Sequence, residues 1–80
     1  MDSQDTERPL TVGETAVGLT FNPSQDPTVA KLKKLYAEVI DLLDADRASN
    51  RDERARLASV AITEAQTAQM WAVKAVTFQR

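Results

Sequence analysis

The sequence predicts an all-α fold, a long antiparallel two-helix hairpin that follows an irregular N-terminal segment. All glycines and prolines of the 80-residue chain lie before position 28, so no helix breaker interrupts the rest. A short polar connection at 48–52 then forces the two helices to run antiparallel. The second helix also carries alanines spaced alternately by three and four, which lets helices approach closely. These residues are Ala58, Ala61, Ala65, Ala68, Ala72 and Ala75.

The first long helix is predicted from about residue 27 to 47. Asp26 is a favourable N-cap, and Pro27 suits the first helical position because the N–H that it lacks has no helical partner there. Apolar residues recur with helical spacing and cover more than one face of this helix, which is more surface than one partner helix covers. They include Val29, Leu32, Leu35, Tyr36, Val39, Ile40, Leu42 and Leu43.

The second long helix is predicted from about residue 52 to 77. Asp52 or Asn50 is expected to cap it, and Glu53 in its first turn suits the positive end of the helix dipole. Beside the alanine seam this helix carries larger apolar residues, including Trp71 and Phe78 on one flank.

The N-terminal part is expected to be less regular than the hairpin. Residues 1–12 are polar and acidic and are predicted to form a flexible tail, which leaves 13–80 as a single hairpin domain. Glycine and proline punctuate the stretch that follows the tail, where Val17, Leu19 and Phe21 alternate as in a short extended segment. Three apolar side chains in such a segment are expected to dock on the hairpin.

The residue types exclude most catalytic chemistry. The chain has no cysteine and no histidine, so it lacks thiolates, the commonest general base and the commonest metal ligand. It has neither a glycine-rich phosphate loop nor a nucleophile motif. We therefore expect no enzyme, no catalytic residue, no metal and no cofactor.

The charge pattern favours a small anion over a duplex nucleic acid or a membrane as the partner. The net charge of −2 gives no sign of duplex binding. Residues 27–80 nevertheless carry nine bases and seven acids, and this net charge of +2 suits a small anionic ligand. No apolar run approaches the roughly 20 residues of a membrane span, and the acidic N-terminus does not resemble a signal peptide. The expected compartment is the cytoplasm.

Self-association is expected because the apolar surface exceeds what one hairpin buries. A chain of this length buries only about 60% of its unfolded surface, and no disulfide supports the core. Apolar residues left over on both helices are therefore expected to form an oligomer interface. Tyr36 on the first helix and Trp71 on the second are its expected anchors.

Two patterns near the start of the first helix allow both a structural and a functional interpretation. Lys31, Lys33 and Lys34 fit a solvated helix flank, but they also fit a phosphate site near the helix N-terminus. Phe21 and Asn22 fit a hydrophobic staple with a turn, but they also fit a base-stacking aromatic with a hydrogen-bonding neighbour. Taken alone, each pattern favours the structural interpretation.

Lys74 in the second helix is a similar case. Its sequence neighbours are mainly alanine and valine. A lysine in that setting either extends along apolar surface to reach solvent or meets a buried anion.

Short motifs in both long helices resemble one family of small phage proteins. In the second helix they are Val60-Ala61, Thr63, Gln66, Met70 and Lys74-Ala75. In the first helix they are Leu32-Lys33-Lys34-Leu35 and Ala37-Glu38-Val39, preceded by an N-terminal stretch, 17–24, like that of one branch. Over about residues 16–78 the chain resembles the anti-CBASS and anti-Thoeris cyclic-nucleotide sponges.

This resemblance implies a function without catalysis. A phage-encoded sponge of the family binds a cyclic di- or trinucleotide, or a cyclic ADP-ribose isomer, and keeps this immune messenger from its effector. The family implies a homohexamer with ligand pockets between protomers. By position, it implies that Phe21 stacks on a base beside Asn22 and that Lys33 holds a phosphate, while Lys74 helps to close a pocket. The alternative is a helical-hairpin adaptor with no small-molecule ligand.

Overall fold

The predicted all-α hairpin is confirmed by the computed structural model, which describes residues 8–79. Three quarters of the residues in this range are helical, and none forms a strand. Helix α1 spans Val12–Val17, α2 spans Pro27–Ala48 and α3 spans Asp52–Thr77. The start of α2 and the end of α3 line one concavity, so these two helices run antiparallel.

Helix α2 begins as the sequence predicts. The carboxylate of Asp26 accepts hydrogen bonds from the backbone N–H of Thr28 at 2.8 Å and of Val29 at 3.3 Å. Pro27 occupies the first helical position. The cap satisfies two of the N–H groups that have no partner within the helix, and no breaker follows for 22 residues.

The N-terminal segment differs from expectation, because α1 takes the place of the extended stretch expected at Val17. The Thr11 hydroxyl accepts from the N–H of Glu14 at 3.0 Å, and the Glu14 carboxylate accepts from the N–H of Thr11 at 3.0 Å. Gly18 ends the helix in the left-handed conformation, with φ of 63°. The extended prediction was wrong because this reciprocal capping box outweighs the alternating apolar pattern.

Helix α1 also begins inside the stretch that we expected to be a flexible tail. Arg8 pairs with Glu14, and its Nη1 lies 2.8 Å from Oε1 of the carboxylate. The hydrogen bond from Arg8 is the main cause that lowers the pKa of the Glu14 carboxyl. Residues 1–7 of the expected tail lie outside the described residues.

Helix α1 lies directly on α2 at Gly13. The Gly13 N–H donates to Oδ1 of Asp41 at 2.7 Å, and a Cβ at this position would overlap the carbonyl oxygen of Ala37. Only glycine permits so close an approach of the two backbones. The core beneath this contact joins all three helices through Val17, Ala37, Ile40 and Ile62.

The N-cap of α3, in the connection that follows α2, differs from the one predicted. Neither Asn50 nor Asp52 caps α3, because its N-cap is Arg51, whose side chain makes no capping hydrogen bond. Asn50 instead donates back to the carbonyl oxygen of Asp46 at 2.8 Å, and Asp52 is the first helical residue. Arg54 fastens the turn through two hydrogen bonds to the Asp46 carboxylate, at 2.6 and 3.1 Å.

Much apolar surface stays uncovered on the hairpin. The Cα atoms extend only 12 Å along the shortest axis, so no second layer of helices from residues 8–79 lies over α2 and α3. None of the helices in residues 8–79 has the length and apolar composition of a membrane span. The large apolar side chains that remain exposed include Leu35, Leu42, Leu57, Met70, Trp71 and Phe78.

Candidate ligand-binding site

The candidate site lies where the turn after α1 crosses the first half of α2. This turn, residues 18–21, is closed by a hydrogen bond from the N–H of Phe21 to the carbonyl of Gly18 at 2.9 Å. It leaves Phe21 72% exposed while holding its ring beside Lys33 of α2. The fold therefore presents an aromatic face and a cation at one point of the surface.

Lys33 is the buried cation of this site. The residue is 5% exposed, and its Nζ donates to the carbonyl oxygens of Gly18 at 3.0 Å and Phe21 at 2.5 Å. The same ammonium lies 5.4 Å from the centre of the Phe21 ring, within the range of a cation–π interaction. An ammonium group has three protons, so one remains for a further acceptor.

The positive charge of Lys33 has no negative partner within residues 8–79. Carbonyl oxygens orient an ammonium but do not neutralise it, and burying an unneutralised charge is unfavourable. An anion bound beside Lys33 would offset that cost. By contrast, carboxylates pair with Arg8, Arg47, Arg54 and Arg56.

Two concavities meet at Lys33. The larger, of about 510 Å³, lies between the α1 turn and α3, and the smaller, of about 210 Å³, faces the start of α2. Phe21, Lys33 and Val73 line both of them, whereas no carboxylate of the described chain lines either. Pockets for small ligands typically measure about 300–1,000 Å³, so the larger concavity alone has a suitable size.

Asn22 lies in the smaller concavity, but its side chain already has partners. Its Nδ2 donates to the carbonyl oxygen of Asp26 at 2.9 Å, and its Oδ1 accepts from the Asp26 N–H at 3.2 Å. These bonds join the turn to the N-cap of α2. One amide proton and one lone pair of Asn22 remain for a ligand.

Lys74 is not brought to Lys33 within one chain. It lines neither concavity, although the preceding residue, Val73, lines both. Successive helical residues point about 100° apart, so α3 turns Lys74 away from the site. Its Nζ lies instead 5.6 Å from the centre of the Trp71 ring.

The two expected interface aromatics have different surroundings. Tyr36 is half-buried, packs against the core and lines an apolar depression of about 270 Å³ with Leu32, Leu35 and Val39. Trp71 is 65% exposed. The depression beside Tyr36 and the side chain of Trp71 both present apolar surface that is not covered within residues 8–79 of a single chain.

The groups at the site suit ligand binding. Through the described residues the two concavities present the Lys33 cation, an aromatic ring, amides, hydroxyls and apolar walls. Within the part of the chain that the structure describes, no three acidic residues cluster closely enough to hold a metal ion.

A family model for the Acb2/Tad1 hairpin domain matches residues 14–77. The chain belongs to this family. Acb2/Tad1 proteins are the anti-CBASS and anti-Thoeris sponges, non-catalytic hairpins that bind cyclic nucleotide messengers. The resemblance found in the sequence motifs is thereby confirmed. No curated protein and no solved structure matches the chain.

Among the cavity residues within the Acb2/Tad1 match that the sequence patterns did not single out, Gln69 is polar and buried. Gln69 is 5% exposed and lines the larger concavity together with Lys33. It lies seven residues after Ile62 and four before Val73, so helical spacing places it on the buried face of α3. A glutamine at a position on the buried face of α3 is the sequence signal that could have identified this residue.

Proposed function

We propose that this chain is a phage-encoded sponge that binds cyclic oligonucleotide or cyclic ADP-ribose-type immune messengers without cleaving them. It acts in the cytoplasm of the host bacterium and blocks CBASS- or Thoeris-type defence. The observation that carries the proposal is the buried ammonium of Lys33, which has no carboxylate partner in residues 8–79 and lies beside the exposed ring of Phe21. Membership of the Acb2/Tad1 family supports the same kind of ligand.

Each side chain of the site meets one chemical feature of a cyclic dinucleotide. The remaining proton of Lys33 bonds a phosphate oxygen, and the charge of that phosphate neutralises the buried ammonium. The ring of Phe21 stacks on a base, an interaction worth about 1–3 kcal/mol per base. Asn22 offers its free amide proton to the base edge. Because the cyclic ligand is rigid, binding costs little conformational entropy.

A second copy of the chain completes this open site. Two protomers related by a two-fold axis present two Lys33 ammonium groups to the two phosphates of one ligand. Lys74, which points away from its own site, helps to close the pocket of a neighbour. Tyr36 and Trp71 anchor the contacts between copies, and the family resemblance makes the assembly a hexamer.

The test is a capture-and-release experiment on the purified full-length chain. The protein is mixed with cyclic dinucleotides, cyclic trinucleotides and cyclic ADP-ribose isomers, and the free ligand is quantified after filtration. Denaturing the protein should return the captured ligand chemically unaltered. A linear product in the released fraction would instead reveal hydrolysis and contradict the sponge.

The alternative function is a helical-hairpin adaptor without a small ligand. The exposed apolar residues of α3, among them Leu57, Trp71 and Phe78, favour it because they suit a partner helix. If no messenger of the panel is captured, the adaptor becomes the better interpretation. Substitution of Lys33 would then leave partner binding unchanged.

A further inference from the structure

Gln69 is a buried polar residue that the sponge mechanism above does not use. Only 5% of it is exposed, and its side-chain amide makes no hydrogen bond with any residue of 8–79. No side-chain nitrogen or oxygen in that range is both sealed from solvent and unpaired. The amide of Gln69 therefore keeps contact with solvent, and the residue lines the larger concavity beside Lys33.

Folding alone does not explain a glutamine at this position. Its neighbours on the buried face of α3 are apolar, with Ile62 in the core and Val73 in the walls of both concavities. An amide on a residue that is 5% exposed keeps only a small part of its contact with water and gains no hydrogen bond within residues 8–79, which is unfavourable, whereas an apolar side chain of the same length would carry no such cost. The polar group is thus suited to a partner outside the chain.

We infer that Gln69 hydrogen-bonds a neutral polar edge of the bound messenger while Lys33 meets its anionic group. This inference rests on the proposed sponge function and defines its ligand more closely. A carboxamide presents a donor and an acceptor side by side, which matches a nucleobase edge that carries an acceptor next to a donor. The site therefore selects anions that carry such a base over polyphosphates of equal charge.

The walls of the larger concavity suit the same ligand. Ala16, Val17, Met70 and Val73 give it apolar sides, and the ring of Phe21 stands at its edge. Apolar and aromatic walls accept the faces of a planar base, whereas Gln69 and Lys33 supply the directional contacts. Gln69 is the only carboxamide among the described residues that line this space, so a base stacked between the apolar walls would bond it through its edge.

The deciding variant is Gln69→Met, which keeps the side-chain length and removes both hydrogen-bonding groups. Gln66→Met is the matched control, because Gln66 is the same residue type one turn earlier and lines neither concavity. The full-length proteins are titrated calorimetrically with cyclic di-AMP, cyclic di-GMP, cyclic tri-AMP and the cyclic ADP-ribose isomers of the capture experiment. Their thermal unfolding is followed without ligand.

Gln69→Met is expected to weaken the tightest of these probes by about tenfold or more, since two hydrogen bonds are lost. Its melting temperature should equal or exceed that of the wild type, whereas Gln66→Met should bind like the wild type. Wild-type affinity in Gln69→Met would overturn this inference and leave the sponge function standing. Weaker binding together with a lower melting temperature would also overturn this inference, because Gln69 would then stabilise the fold instead of contacting the ligand. A wild type that binds none of the probes would overturn the sponge function and this inference together.

Discussion

The ammonium of Lys33 contacts Phe21 twice, through a 2.5 Å hydrogen bond to its carbonyl oxygen and at 5.4 Å from the centre of its ring. One lysine thus fixes the backbone of the aromatic residue and attracts its π face at the same time. The two residues are twelve apart in sequence, so this pair ties the N-terminal turn to α2. A binding surface that is fixed before the ligand arrives loses less entropy on binding.

Removing the Lys33 ammonium is expected to weaken messenger binding strongly. Lys33→Ala should weaken the affinity for a captured cyclic dinucleotide by about a hundredfold, because a charge-assisted contact to phosphate and the support of Phe21 are lost together. Isothermal titration calorimetry measures the change. Lys34→Ala, which alters the exposed neighbouring lysine, is the control and should bind normally. Equal affinities of the two variants would contradict the assignment of Lys33.

The close contact between α1 and α2 makes Gly13 sensitive to any side chain. Gly13→Ala should lower the free energy of unfolding by about 1–3 kcal/mol, because the new methyl group overlaps the Ala37 carbonyl and displaces α1. Urea denaturation gives the value. Thr15→Ala changes an exposed residue of the same helix and should stay within about 0.5 kcal/mol of the wild type. A harmless Gly13→Ala would mean that α1 does not dock on α2 as described.

The two long helices were predictable because local signals agree with the packing. Asp26 and Pro27 define the start of α2, and no glycine or proline follows. The short helix α1 was missed although Thr11 and Glu14 form a capping-box pattern, because alternating apolar residues nearby indicated extended chain. Local propensity for so short an element is weak, so the capping box and the docking of Gly13 on α2 stabilise α1 together.

The site itself was less accessible to sequence reasoning. The pairing of Lys33 with Phe21 depends on the turn at Gly18, whose geometry no periodicity reveals. The sequence also left open whether the lysine was solvated, and the structure buries it. Lys74 lines neither concavity of its own chain. Its expected part in the pocket therefore stays a prediction that requires a neighbouring copy.

The Arg8–Glu14 pair should make the stability of the fold depend on pH. The pKa of Glu14 lies below its ordinary value of 4.5, chiefly because Arg8 hydrogen-bonds the ionised form. A group with a lowered folded-state pKa stabilises the fold above its unfolded pKa and loses that contribution as the pH falls through the folded pKa. Glu14→Gln should therefore be less stable than the wild type at neutral pH, and the difference should shrink in acid.

Urea denaturation from about pH 7 to about pH 3 tests this expectation. Arg8→Met removes the partner of Glu14. In that background, the difference in the free energy of unfolding between the protein with Glu14 and its Glu14→Gln variant should depend less on pH. A difference that stays constant across the whole range would show that the charge of Glu14 does not stabilise α1.

Trp71 is expected to control assembly, because so large an aromatic side chain rarely stays 65% exposed in a stable monomer. Trp71→Ala should shift the sedimentation of the protein toward the monomer, with a loss of about 2 kcal/mol or more per contact between copies. Lys31→Ala, an exposed polar change on α2, should leave the assembly intact. If the pocket lies between copies, the dissociated Trp71→Ala protein should also lose messenger binding although Phe21 and Lys33 are unchanged. A monomeric variant that still captures the messenger would show that one chain forms the whole site.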